Sequence, residues 1–167
     1  MPNKNQIIMH PLRKRTRKLN YDYSQNNLYF VTGNVKHFKR CLGEVVNGKM
    51  LLNQYGIIVN NQIEWLEQNY KYVILHATIV MPNHWHFILE INNEMVDETV
   101  KIKSLSELVG AFKSTSSKMI HDLGFAGFIW HRSFHDHIIR DDAAYQNICN
   151  YIEANPEKWS VDKFYKN

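Results

Sequence analysis

Two consecutive segments constrain the fold of this chain more than any other feature. Val73 to Met81 (VILHATIVM) is a nearly continuous apolar run, Pro82-Asn83 ends it as a turn, and His84 to Ile91 (HWHFILEI) alternates strictly. Both read as strands. In the second, period-two alternation sends His84, His86, Ile88 and Glu90 to one face and Trp85, Phe87, Leu89 and Ile91 to the other. One face is therefore core, and the chain must supply a sheet and something to cover it.

The flanking segments supply both. Tyr29 to Val35 (YFVTGNV) is aromatic and β-branched and predicts a further strand, and Phe134 to Arg140 (FHDHIIR) predicts another. Ile57 to Gln68 carries Ile58, Ile63, Trp65 and Leu66 at helical spacing. Ser104 and Glu107 form a capping box ahead of Leu105, Leu108, Val109 and Phe112, which predicts a second helix to about His121. Asp141-Asp142 offers an N-cap for a third helix, Ala143 to Asn155, stopped by Pro156. Asn47-Gly48, between Val45-Val46 and Met50-Leu51-Leu52, signals a two-residue hairpin that reads as a surface decoration. The order β-α-β-β-α-β plus a helix predicts an α+β, ferredoxin-like antiparallel sheet with two helices on one face and a terminal helix for the other.

At 167 residues and 44% apolar composition, one domain is expected, without the ~20-residue apolar run that spans a bilayer. Together with a polar, basic start this predicts a cytoplasmic protein with no membrane partner. Cys41 and Cys149 are far apart and form no CxxC, so a disulfide framework and a four-thiolate zinc site are both excluded. Charge divides the chain at about residue 20. Six of the 20 Lys and Arg residues and no acid lie in residues 1–20, which leaves 14 basic against 16 acidic residues in the expected domain, 21–167. An arm bearing Arg13, Lys14, Arg15, Arg17 and Lys18 suits a polyanion, because each neutralised phosphate releases counterions; a solvated tail is the alternative.

His84-Trp85-His86 is the sharpest local feature. Two imidazoles on one strand face can offer two nitrogens to one metal ion, although the triplet alone favours a pair of solvated histidines. Several classes drop out: there is no HxE with PCxxC for a nucleobase deaminase, no HExxH, and no GxSxG elbow. Phosphoryl-transfer chemistry and a structural metal remain. Tyr151 and Asn155, four residues apart, share a face of the third helix and could bring a nucleophile and an oxygen ligand together. On spacing alone the favoured reading is instead a packed Tyr151 and an Asn155 that caps the helix before Pro156.

Three blocks in order carry a more specific signal: Met81-Pro82-Asn83-His84-Trp85-His86, Trp130-His131-Arg132-Ser133-Phe134-His135-Asp136-His137-Ile138-Ile139-Arg140, and Tyr151-Ile152-Glu153-Ala154-Asn155-Pro156. Together they resemble the signature blocks of the REP-associated tyrosine transposases, single-tyrosine enzymes of the HUH nuclease superfamily, and the resemblance runs from about Arg15 to Trp159. It implies metal-dependent nicking and strand transfer of single-stranded or hairpin DNA through a 5′-phosphotyrosine. His84, His86 and Asn155 become metal ligands and Tyr151 the nucleophile. Imidazole and amide ligands with phosphate oxygens suit Mg²⁺ or Mn²⁺, while two histidines would also hold Zn²⁺ or Ni²⁺. A non-catalytic hairpin-binding module of the same fold is the alternative, and attack within one chain or across a homodimer is left open.

The remaining candidates are weaker. His135 and His137 form a second HxH between Arg132 and Arg140, cations that oppose a metal and favour phosphate, so His137, Arg132 and Arg140 are expected at DNA. Lys113 and Lys118 bracket a serine-rich stretch that could touch phosphates or simply face water. Tyr145 lies about 120° from Tyr151 around its helix and is expected to pack. The four tryptophans read as core or sheet cover.

Overall fold

A computed structural model describes residues 18–165; of the predicted arm, only Lys18 falls inside this range, and Arg13, Lys14, Arg15 and Arg17 lie outside it. The elements are β1 (Asn27–Asn34), β2 (Gly43–Val46), β3 (Lys49–Leu52), α1 (Gln54–Asn69), β4 (Val73–Val80), β5 (His84–Ile91), α2 (Leu105–Asp122), β6 (His135–Ile139) and α3 (Asp142–Glu153). Strands β4-β5-β1-β6 form one fully antiparallel sheet, so each of the two helical crossovers skips over a central strand. This is the expected ferredoxin-like α+β plan.

Alternation fixes which residues cover which face. Tyr29, Val31, Trp85, Phe87 and Leu89 meet Val59, Ile63 and Leu66 of α1 and Leu105, Leu108 and Phe112 of α2 in the main core. Gly33 pairs with Trp85 across β1 and β5, and a Cβ there would fall within 2.6 Å of indole Cε2, so the missing side chain makes room for the ring. Both predicted caps form: Ser104 with Glu107 closes the capping box of α2, and the Asp141 side chain accepts from the Ala144 N–H at the start of α3, while α1 is capped by Asn53, which accepts from its first turn.

Strand β4 explains why its sequence is apolar without alternating. A bulge between Leu75 and Ala77 shifts the pleat by one residue. Val73 and Leu75 therefore face the helices, while Ala77 and Ile79 join Ile88, Ile139, Cys149 and Ile152 in a second core under α3. The opposite face of the sheet is thus covered, not solvated.

The β2-β3 hairpin forms at Asn47-Gly48, with both residues at positive φ, as an Asn-Gly turn requires. It is more than the expected decoration. Val45 packs on a third cluster of Met81, Trp159 and Phe164, so the hairpin buttresses the segment that follows α3. Among the described residues no helix is long and apolar enough to cross a membrane.

Candidate active site

Strand β5 is internal to the sheet, and its two histidines are fully buried at 0% exposure, which corrects the expectation of a solvated pair. The cover comes from α3 and the turns after it. Phe164 lies over His84 with ring centroids 4.4 Å apart, Trp159 lies 5.8 Å from His84, and Tyr151 meets His86 edge-on at 5.2 Å. The two imidazoles stand 4.7 Å apart.

Each ring is held through its Nδ1. The Asn83 amide donates from Nδ2 to the carbonyls of Phe38 (3.0 Å) and Phe164 (2.9 Å), which fixes its Oδ1 toward His84 Nδ1 at 2.9 Å. An oxygen acceptor there requires the proton on Nδ1, leaving a lone pair on His84 Nε2. His86 Nδ1 is 2.7 Å from Thr32 Oγ1, and its Nε2 is 3.4 Å from the Tyr151 phenol. Burial pushes His84 down to about 4, partly offset by the charge of Asp162 and by Asn155, and pushes His86 well below the ordinary range, helped by His84 and Lys163. Both rings are neutral at pH 7, as metal ligands must be.

Helix α3 ends at Glu153, two residues short of expectation, but Ala154 keeps right-handed helical backbone and delivers Asn155 beside the Tyr151 phenol. Asn155 is buried and does not cap the helix with its side chain: its Nδ2 donates to Asp162 Oδ2 at 3.3 Å. Among the described residues, His84 Nε2 and Asn155 Oδ1 are buried without a hydrogen-bond partner. Two buried, unsatisfied acceptors are costly unless something positive sits between them. No three His, Cys, Asp or Glu side chains gather at a common point among the described residues, so a cation bound beside the two imidazoles would need the Asn155 amide oxygen as its third protein donor. The donors present fit a divalent cation.

Tyr151 itself is 38% exposed and opens onto a cavity of about 300 Å³ lined by Phe30, Asn155, Lys158, Val161, Asp162 and Lys163. Burial and then the Asp162 charge raise its pKa, against a smaller lowering by Asn155. Thr32, Asn83 and Asp162 are site residues that the sequence reading missed. Thr32 sits on the face of β1 that looks away from the helices, which alternation could have indicated; Asn83 passed as a turn residue; Asp162 carries no local signal.

The other candidates disperse. Lys18, His137 and Arg140 line one cavity of about 430 Å³ near the start of α3. His135 and His137 are exposed on the site face of β6, opposite Thr32 and Phe30, and Arg132 is exposed in the preceding loop. Lys113 is on α2, in the layer across the sheet from Tyr151, and its ammonium donates to the His131 carbonyl. Lys118 pairs with Asp122. Tyr145 bonds His76 rather than the site histidines, as its angle predicts.

A family model described as "Transposase IS200 like" matches residues 48–155, a span that includes both histidines, Tyr151 and Asn155. An uncharacterised protein of Haemophilus influenzae is 29% identical over 92% of this chain and 93% of its own. A REP-associated tyrosine transposase, whose structure is bound to a REP hairpin, superposes with TM-score 0.63 at 20% identity, over 90% of this chain and 77% of that one. A transposase-like protein of Deinococcus radiodurans R1 gives 0.51 at 16%, over 83% and 96%. At these identities the two structural likenesses are of fold.

Proposed function

The chain belongs to the IS200-like transposase family, and from that premise we propose that it nicks and rejoins single-stranded DNA beside hairpins, in the REP-associated manner, through covalent attack by Tyr151. The observation that carries this reading is that the His84 and His86 rings stand 4.7 Å apart, with the Asn155 amide beside both His84 and the half-exposed Tyr151 phenol, which itself lies 3.4 Å from His86 Nε2. A Mg²⁺ or Mn²⁺ held by these three groups would polarise the scissile phosphate and offset the charge that develops on it.

The chain's own residues do the rest. Asn83 and Thr32 fix the imidazole orientations from behind, as second partners of metal-binding histidines commonly do. In the isolated protein, burial and Asp162 keep Tyr151 protonated, so the nucleophile is released only when positive charge and substrate enter together. The Tyr151 oxygen then forms a bond to phosphorus as the P–O3′ bond breaks. The phenolic proton goes to a nearby acceptor, the leaving 3′-oxygen gains a proton, and a 5′-phosphotyrosine is left. A different 3′-hydroxyl reverses the step into a new joint without an external energy source. Lys158 and Lys163 at the rim of the cavity suit the flanking phosphates.

The test is direct. Single-stranded DNA containing a hairpin from the flanks of the gene is incubated with the protein and Mn²⁺, and a covalent adduct is sought on a denaturing gel. An adduct that maps to Tyr151 supports the proposal. Tight hairpin binding without cleavage would instead identify a binding module of the same fold.

A further inference from the structure

The Asn155 carboxamide has two orientations of nearly the same shape, and only one presents oxygen to the histidines. With nothing else acting, the other is favoured: an inward Nδ2 would donate to the lone pair on His84 Nε2 and satisfy both groups. Asp162 opposes that arrangement. Its backbone follows the helical turn Trp159–Val161, its Oδ1 accepts from the Phe164 N–H at 2.6 Å, and its Oδ2 accepts from Asn155 Nδ2 at 3.3 Å. Turning the amide over would set Oδ1 of Asn155 against a carboxylate, acceptor against acceptor.

We propose that Asp162 is a positioning residue for the cation site: it locks the Asn155 amide with Oδ1 toward His84 and His86. The inference rests on the reading of His84, His86 and Asn155 as donors to a divalent cation. It explains why a buried amide keeps an unsatisfied oxygen next to a buried unsatisfied nitrogen. It also ties the segment after α3 to the chemistry through one carboxylate, and not only through the rings that cover the histidines.

The substitution Asp162→Asn tests this without changing shape. The Phe164 N–H retains an oxygen acceptor at position 162, so the new amide turns its NH₂ toward Asn155. Asn155 then accepts with Oδ1 and swings Nδ2 to the histidines. Mn²⁺ affinity of the full chain, measured by electron paramagnetic resonance without DNA, should fall about 10- to 100-fold, the usual cost of losing an outer partner of a metal ligand. In Asn155→Asp the residue at 155 has oxygen on both sides, so Asn155→Asp/Asp162→Asn should bind Mn²⁺ at least as well as Asn155→Asp alone. Thermal melting confirms that each variant is folded. Wild-type affinity in Asp162→Asn, or the same fold-loss in both backgrounds, would overturn the proposal, the second by marking a general structural role. Failure of the wild type to bind Mn²⁺ at all overturns the underlying cation-site reading instead.

Discussion

Tyr151 separates function from packing at the scale of one residue. Its phenol lies 3.4 Å from His86 Nε2, a long contact, while its ring packs edge-on against Phe30 and His86. Tyr151→Phe should therefore change stability by no more than about 1 kcal/mol, one ordinary hydrogen bond, while the covalent adduct disappears and hairpin binding persists. A melting curve, the denaturing gel and a binding titration check the three parts; an adduct surviving on another tyrosine would move the nucleophile elsewhere. The histidines make a second prediction, for the protein in chelator. Unfolded His84 takes up its proton near 6.5 and folded His84 only near 4, so the unfolded state binds more protons in between. The contribution of neutral His84 to stability is complete above about pH 6.5 and is lost as pH falls toward 4. The groups facing the ring are His86, Asp162 and Lys163, and His84→Gln should flatten the fall of melting temperature across that window. These site residues were legible unequally. Alternation puts His84 and His86 on one face and spacing puts Tyr151 and Asn155 on another, but each pattern alone favours a bland role, and only the three ordered blocks together pick the four out. Thr32 and Asn83 meet partners 54 and 81 positions away, distances that no local pattern encodes.

Among the elements, strands and capped helices were legible because their signals are local: β5 runs from His84 to Ile91 as its alternation predicts, and the Ser104-Glu107 box opens α2. A helix for the far face of the sheet was expected, but the core that seats it there was not. The bulge in β4 that sends Ala77 and Ile79 under α3 leaves no mark in an apolar run, and without it the histidine face reads as polar and open. The close fit of Gly33 to Trp85 gives the element-scale prediction. Gly33→Ala forces the indole from its place among Phe87, Phe112 and Trp130, and overpacking of this kind costs about 1–3 kcal/mol. Urea titration should register that loss. Because Trp85 and His86 are neighbours on one strand, Mn²⁺ affinity should fall too; a variant with wild-type stability would mean that the ring has room to move.

For the whole molecule, charge is divided unevenly along the sequence. Residues 1–20 hold six cations and no acid, and the rest of the chain has two more acidic than basic residues, so attraction to DNA must be local wherever it arises. Among the described residues, cations on the site side include Lys158 and Lys163 beside Tyr151, Lys18 with Arg140 near the start of α3, and Arg40 over the Trp159 and Tyr165 rings. Lys18 is the first residue that the structure describes. Its backbone N–H donates to the Tyr23 hydroxyl and its ammonium lies 5.4 Å from the centre of the Tyr21 ring, so a cut before it preserves those contacts. Deleting residues 1–17 removes Lys4, Arg13, Lys14, Arg15 and Arg17. If each neutralises one phosphate of single-stranded DNA, the slope of log affinity against log salt should become shallower by about 3.5, at roughly 0.7 per contact. Affinity should fall most at low salt, while the melting temperature and Mn²⁺ affinity stay at wild-type values if these cations serve the polyanion and not the fold. Binding titrations from low to moderate salt, on the full chain and the deletion side by side, decide the matter: parallel lines mean that the arm does not touch phosphate, and the two lysines beside Tyr151 then become the next cations to substitute.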